Sequence, residues 1–468
     1  MPAEPRRTPR PLERGDELEI EIQALGEGPD GLAKVDDYVV FVPGLLPGER
    51  ALVRITSSTR KFARGETIER LGPAADDRVP APCAHFLTCG GCHRQHQYYP
   101  AQLEDKRSRL QRTLHYALGD RAPAALPTLA AEPSLGQRHK VALHLRNRID
   151  SLHGEGHLEG CLHRVRSAEL VPVRDCPTSD PLAWDLAQAT LAQLQHLPHR
   201  AWDPDFAPKG LLRTILVRTT TGGESHVIVV AREPFVPDLD RLLPALREAG
   251  ATTVGINHNR GEFSQLLGPR TTVVAGPRRL AERIGDTTYL LSPDAFFQTS
   301  PQAAAHLVAG VGDWLAPGKD DVVGDLYCGV GLLTLPLARR ARLAFGIEAK
   351  RDAIEDAEVA AALNNLRNTQ FRSGAVEAWL SRCGRGDLPV PDLLAIDPPR
   401  SGLEPSVVQE IARLRPRRLA YVSCDLRSLG RDLKALAEAG YRVGKARAID
   451  MFPHTCHVES LVCLERAR

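Results

Sequence analysis

The sequence predicts a chain of several domains: a small N-terminal β-barrel, a central α+β region and a C-terminal doubly wound α/β domain. Three observations carry that reading. Its 468 residues exceed what one domain of about 100–200 residues holds. Short strand-period segments separated by Gly and Pro fill residues 17–71. From about residue 281 strand-type and helix-type segments alternate, the rhythm of βαβ units. With 43% hydrophobic and 25% charged residues the chain has material for packed cores, which excludes a disordered or fibrous protein.

In residues 17–24 (ELEIEIQA) polar and apolar side chains alternate at the two-residue period of a half-buried strand. Further strands are expected at 38–42, 51–56 and 66–71, with Gly26, Gly28, Gly31, Pro43, Gly44, Pro47 and Gly48 marking tight turns. Short strands joined this way suit a small barrel over 12–73, a module that binds RNA and in other settings binds proteins or small ligands. Ahead of it Arg6, Arg7 and Arg10 make a basic, Pro-rich segment, read as a disordered tail or as an added contact to RNA phosphates.

After Pro73 the strand pattern gives way to Pro80, Pro82 and closely spaced cysteines. Residues 102–118 set Leu103, Leu110, Leu114 and Leu118 near one face of an expected helix, which is able to pack on the C-terminal domain. Strand-type pieces at 141–145, 214–218 and 225–230, with a helix at 181–194, make 74–280 the central α+β region.

The C-terminal region, 281–468, is expected to place strands at 321–326, 343–348, 392–396 and 418–423 and helices at 350–365 and 406–414. Ligands of doubly wound sheets sit beyond the carboxyl ends of the strands, so the short polar sequences there carry the functional weight. Asp325-Leu326-Tyr327-Cys328-Gly329-Val330-Gly331 is such a sequence: glycines let a ligand approach the backbone, although a plain structural turn reads the same way. It is neither the three-glycine dinucleotide fingerprint nor a phosphate loop. Glu348 ends the second strand, where a carboxylate accepts ribose hydroxyls; a solvated surface Glu is the alternative. The pair suits S-adenosylmethionine better than NAD.

Asp397-Pro398-Pro399-Arg400 closes the next strand, and the two prolines stiffen the backbone that aims Asp397 at the crevice. Tyr421-Val422-Ser423-Cys424-Asp425 repeats the arrangement one strand later. Cys424 is either a buried inert thiol or, given its polar neighbours, a reactive one.

The net charge of +2, from 60 Lys and Arg against 58 Asp and Glu, offers no bulk argument for nucleic-acid binding, so that inference rests on motifs. No apolar run reaches the ~18 residues of a membrane span, and no hydrophobic secretory segment opens the chain. A cytoplasmic protein is expected. In a reducing compartment ten cysteines read as ligands, nucleophiles and packing residues. Cys83, Cys89 and Cys92, spaced C-x5-C-G-G-C, suit either zinc or an iron–sulfur cluster, with Cys161 or Cys176 as the fourth ligand.

Taken together, Phe296-Phe297-Gln298, the 325–331 turn, Asp397-Pro398-Pro399-Arg400-Ser401-Gly402, residues 421–433 and the run 450–459 (DMFPHTCHVE) resemble the RNA uracil-C5 methyltransferase family, in order and over nearly the whole chain. The resemblance implies a TRAM-like RNA-binding barrel at 12–73 and a Rossmann-like methyltransferase domain at 281–468. It implies Gln298, Tyr327, Glu348 and Asp397 in an S-adenosylmethionine pocket, Cys424 as nucleophile and Glu459 as general base. It also implies Cys176 as the partner of Cys83, Cys89 and Cys92 around a [4Fe-4S] cluster, leaving Cys161 as a buried spare.

The implied substrate is 23S ribosomal RNA presenting a flipped-out uridine, with 5-methyluridine as product. Transfer RNA is the alternative substrate. A non-catalytic RNA assembly factor is the rival of another class, and Cys424, Glu459 and the intact glycine turn oppose it. Phe296 is expected against the substrate base or in the core. Two departures stand out: Leu426 follows Cys424-Asp425 where proline is more usual, and Leu332 replaces a polar residue of some relatives. A monomer with no obligate protein partner is the default.

Overall fold

The structure is a computed structural model describing residues 12–26, 28–149, 156–203, 209–261 and 265–467. Arg6, Arg7 and Arg10 lie outside the described residues. The chain divides into two compact units, one of residues 1–102, 163–171 and 454–456, the other of 103–162, 172–453 and 457–468.

The first unit is built on a curled sheet ordered Glu17–Glu21, Arg50–Ser58, Phe62–Leu71, Tyr38–Pro43, Asp30–Val35, Ala24–Leu25. Alternation explains it: Glu17, Glu19 and Glu21 are exposed while Ile20 joins Ile22, Val40, Val42, Val53 and Ile55 in one core. Asp30–Val35 is not among the elements expected from sequence, because DGLAKV has neither alternation nor β-branched residues until its end. Pairing with Tyr38–Pro43 makes it a strand, and Gly31 is needed there: a β-carbon would meet Leu45 O at 2.9 Å.

In the second unit a central mixed sheet runs Gly156–His163, Lys140–Ile149, Leu212–Thr219, Ser225–Ala231, Thr253–His258, Thr271–Ala275. Leu212–Thr219 and Ser225–Ala231 are buried at every residue, with the apolar stretches Ile215–Val217 and Val227–Ala231 at their centres and buried polar residues such as Arg218 and His226 towards their ends. Helix Pro181–Leu194 packs on them; Asp180 caps it by accepting from Ala183 N at 3.0 Å, and Pro181 opens its first turn.

The Rossmann-like C-terminal sheet is ordered Thr369–Ser373, Leu343–Glu348, Val322–Leu326, Leu393–Ile396, Arg418–Ser423, Glu459–Arg466, Tyr441–Ile449, Leu126–Leu129. Strands through Arg418–Ser423 are parallel, and Glu459–Arg466 runs antiparallel to both its neighbours. Val322–Leu326 lies between the strand that follows it in sequence and a later one, so the strand order reverses there and opens a crevice at the strand ends. Helix Tyr99–Leu118 contributes Leu110, Leu114 and Leu118 to the same core as Leu326, Leu394, Tyr421 and Leu429. Leu126–Leu129 continues that segment as an edge strand beside Tyr441–Ile449. Both lie before residue 281 because the C-terminal sheet's last face is covered by chain from far upstream. No helix among the described residues is long and apolar enough to cross a membrane.

Candidate active site

The crevice at the reversal is lined first by the turn after Val322–Leu326. Tyr327, Gly329 and Gly331 adopt positive φ of 64°, 54° and 84°, a tight path that glycine permits. A β-carbon on Gly329 would meet nothing within 4 Å, so open space lies directly over the backbone. Glu348, at the end of the neighbouring strand, accepts from Gly329 N at 3.2 Å and from Lys350 N at 2.9 Å. Those bonds leave the half-buried carboxylate fixed beside the turn. Asp325 is fully buried one step below; Thr334 Oγ1 donates to its Oδ2 at 2.6 Å, and Oδ1 has no hydrogen-bond partner among the described residues. Burial drives the Asp325 carboxyl up to about 7 against the pull of Thr334, and the charges of Asp397 and Glu348 add to the rise.

Asp397 leaves the next strand with its N–H on Leu326 O at 3.2 Å. Desolvation raises its carboxyl to about 7. The following loop is clasped by Asp432, whose Oδ2 accepts from Leu403 N at 2.8 Å and from Tyr421 OH at 2.7 Å. Arg431 donates to Ser401 O at 2.6 Å. Gly402 has φ +78°, and a β-carbon there would meet Asp432 Oδ2 at 2.3 Å, so only glycine fits under the clasp.

Cys424 stands on the strand-to-helix turn between Arg418–Ser423 and Leu426–Glu438. Asp425 caps the helix, accepting from Arg427 N at 2.9 Å and Ser428 N at 3.0 Å, while Ser423 Oγ donates to Asp425 O at 2.9 Å. Leu426 occupies the first helical position, where proline also fits, and packs against the core instead. In the antiparallel ladder Ser423 pairs Ser460, so one step beyond that pair Glu459, which precedes Ser460, comes beside Cys424, which follows Ser423.

Glu459 is 3% exposed. Burial, then the Asp397 charge, holds its carboxyl well above the usual range, and Arg400 opposes the shift. The Cys424 thiol is pushed up to about 11, first by burial and then by Glu459 and Asp397, again against Arg400. A half-buried thiol, two buried carboxyls raised above their usual range and one guanidinium therefore act on each other in the crevice. Such a set offers a nucleophile and a proton acceptor.

Gln298 is buried at the end of a loop that Arg218 ties to the central sheet by donating to Ala295 O at 2.5 Å, and Ser300 caps the next helix by accepting from Ala303 N at 3.2 Å. Phe296, in the same loop, is 63% exposed, which removes the core reading of this ring.

Arg400, Asp432 and the pair Lys106–Asp450 were not picked out by sequence reasoning. Lys106 and Asp450 are 1% and 0% exposed and bond at 2.5 Å, and Lys106 Nζ also donates to Phe452 O at 3.0 Å, bracing the segment that leads to Glu459. Their signal was a charge on an apolar helical face: Lys106 four residues before Leu110, Asp432 three after Leu429.

Of the cysteines, Cys83, Cys89, Cys92 and Cys176 are half-buried. Gly91 N–H donates to Cys89 Sγ at 3.4 Å, and Cys89 N–H to His85 O at 2.8 Å. Gly90 N–H donates to His163 O at 2.8 Å, and a β-carbon on it would press three backbone atoms at 3.2–3.3 Å. Thr178 Oγ1 lies 3.4 Å from Cys176 Sγ. Cys161 is buried in the central sheet with its thiol raised to about 11 by that burial.

The chain is similar to known proteins along most of its length. Residues 11–68 match the TRAM domain model, and residues 390–467 match the tRNA (Uracil-5-)-methyltransferase model. An RNA methyltransferase of Caldanaerobacter subterraneus subsp. tengcongensis is 30% identical over 97% of this chain and 98% of its own length. One of Enterococcus faecalis is 31% identical over 97% and 99%. Among solved structures, the Pyrococcus abyssi tRNA (uracil-54, C5)-methyltransferase in complex with S-adenosyl-L-homocysteine superposes with a TM-score of 0.74 at 25% identity. That match covers 95% of this chain and 99% of that one.

Proposed function

The chain belongs to the TRAM-containing RNA uracil-C5 methyltransferase family, and from that premise we propose that Cys424 attacks C6 of an RNA uridine to prepare C5 for methylation. The observation that carries this is the ladder register that sets Glu459 beside the Cys424 turn, at the carboxyl edge of the sheet next to Asp397.

Uracil C5 is a weak nucleophile. Addition of the Cys424 thiolate at C6 moves electron density onto C5. S-adenosylmethionine, when bound, supplies the electrophilic methyl group. Glu459 then takes the C5 proton, the C5–H electrons re-form the ring double bond and the thiolate leaves; a buried carboxyl whose proton affinity is raised by its surroundings suits that task. Gln298, Tyr327, Glu348 and Asp397 are assigned to the cofactor. The open space over Gly329, the Glu348 carboxylate held beside it and the negative charge suited to a sulfonium support that assignment. The target base must leave its stack to reach this crevice, at a cost of a few kcal/mol, least for an unpaired nucleotide.

For the RNA class, transfer RNA is the better supported reading, through the Pyrococcus abyssi enzyme and the family model over 390–467. The ribosomal expectation, 23S RNA, rests on the cysteine set and is the second reading. We assign RNA capture to the barrel of 12–73, the cysteine centre to 74–280 and methyl transfer to 281–468, working as a cytoplasmic monomer. Cys83, Cys89, Cys92 and Cys176 are assigned to a [4Fe-4S] cluster in a structural role. Four half-buried cysteine side chains, one already accepting an amide hydrogen bond, are the donor chemistry such a cluster takes.

Incubation with methyl-labelled S-adenosylmethionine and unmodified transfer or 23S RNA, followed by nucleoside analysis, tests the proposal. Label in 5-methyluridine is expected from transfer RNA. Label confined to 23S RNA would reverse the choice of substrate, and none from either RNA with cofactor bound would sink the activity.

A further inference from the structure

His96 is 3% exposed, and neither Nδ1 nor Nε2 has a hydrogen-bond partner among the described residues. A buried imidazole always carries at least one N–H, and leaving it unmatched costs about 1–3 kcal/mol. A donor so placed usually faces an acceptor that protein atoms do not supply.

The ring's surroundings say which kind. It lies against Phe86, with centroids 5.1 Å apart and planes tilted by 36°. Phe86 sits midway in the loop that bears Cys83, Cys89 and Cys92, its N–H on Cys83 O at 3.1 Å and its backbone bridged to Cys89. His96 O in turn accepts from Val79 N at 2.9 Å, which fixes the backbone under the ring. A buried ring N–H is thus pinned against the loop whose three cysteines bring sulfur acceptors to its side of the ring's contact with Phe86.

We infer that His96 is a positioning residue for the cluster held by that loop, donating a ring N–H to one of its sulfur atoms. The inference rests on the iron–sulfur reading of the cysteines. Hydrogen bonds to cluster sulfurs stabilise the more negative, reduced state and so raise the reduction potential.

The test uses full-length protein prepared without oxygen, as wild type, His96→Leu and His96→Asn. Iron and acid-labile sulfide are measured first; a wild type with neither removes the cluster itself and this proposal with it. With the cluster present in all three, His96→Leu is expected to have a more negative potential and to lose its visible absorbance in air several-fold faster. His96→Asn, which keeps an N–H, is expected to fall between. Equal potentials and equal bleaching at full iron content would overturn the proposal. Should His96→Leu fail to fold, wild type labelled with ¹⁵N-histidine provides the reading: one ring N–H resonance that shifts on cluster reduction and is absent from His96→Asn. No redox-sensitive ring N–H would overturn the proposal equally.

Discussion

Ser460 Oγ donates to Ser423 O at 3.0 Å across the antiparallel pair that joins Arg418–Ser423 to Glu459–Arg466. The bond locks the register of the two strands at their shared end. Because side chains alternate with a period of two, a slip by one residue would turn Glu459 to the other face of the sheet, away from Cys424. The thiol and the carboxylate, 35 positions apart in sequence, are therefore held together by a ladder and not by a loop.

Replacing Cys424 by Ala is expected to abolish both turnover and the covalent RNA complex, whereas Glu459→Gln slows turnover by about 10²–10⁴-fold and accumulates that complex. Denaturing gels of labelled RNA separate the two behaviours. Residual wild-type turnover in Cys424→Ala would refute the nucleophile.

A thiol raised to about 11 is ionised in only about one molecule in 1,000 at pH 8. Alkylation of Cys424 by iodoacetamide in the free protein should therefore climb about tenfold per pH unit between 7 and 9, with no plateau. Arg400→Ala removes a charge that lowers the thiol's value, so it should slow alkylation at pH 8. A plateau near pH 8, or a faster reaction in Arg400→Ala, contradicts this electrostatic picture.

Changing Glu348 to Gln keeps an acceptor oxygen for one of the Gly329 and Lys350 amides and removes the charge offered to a ribose. Affinity for S-adenosylhomocysteine should drop about tenfold or more, since hydrogen bonds to a charged group contribute roughly 1.5–3 kcal/mol. Calorimetric titration checks it, and an unchanged Kd would move the carboxylate out of the cofactor site.

Lys106→Met leaves Asp450 buried without its ammonium partner, at a cost of about 3–5 kcal/mol. Combining it with Asp450→Leu, which removes the stranded charge, should recover much of that loss. Denaturant midpoints of the single and double variants decide it; a neutral single variant would mean the pair contributes nothing.

Much was legible from sequence because local chemistry sufficed. The strands Leu343–Glu348 and Arg418–Ser423 and the helix Pro181–Leu194 have the limits that their periodicity, capping residues and prolines indicate. The strand Asp30–Val35 was not legible, since its pairing partner makes it, and neither were Tyr441–Ile449 and Glu459–Arg466, whose register depends on each other. Asp432 and Arg400 were hidden for a related reason: an isolated charge in a sequence does not announce which backbone or thiol it will meet.

The chain by itself determined which groups exist to do chemistry: a thiol and an acid after strands, a glycine turn, four cysteines in suggestive company. Only the tertiary structure decided that Cys424, Glu459, Asp397 and Arg400 share one electrostatic environment, and that a lysine from residue 106 supports the segment before Glu459. Sequence patterns report a residue's own turn or strand, but pKa values and charge pairing depend on distance and burial, and those are set by parts of the chain hundreds of residues apart.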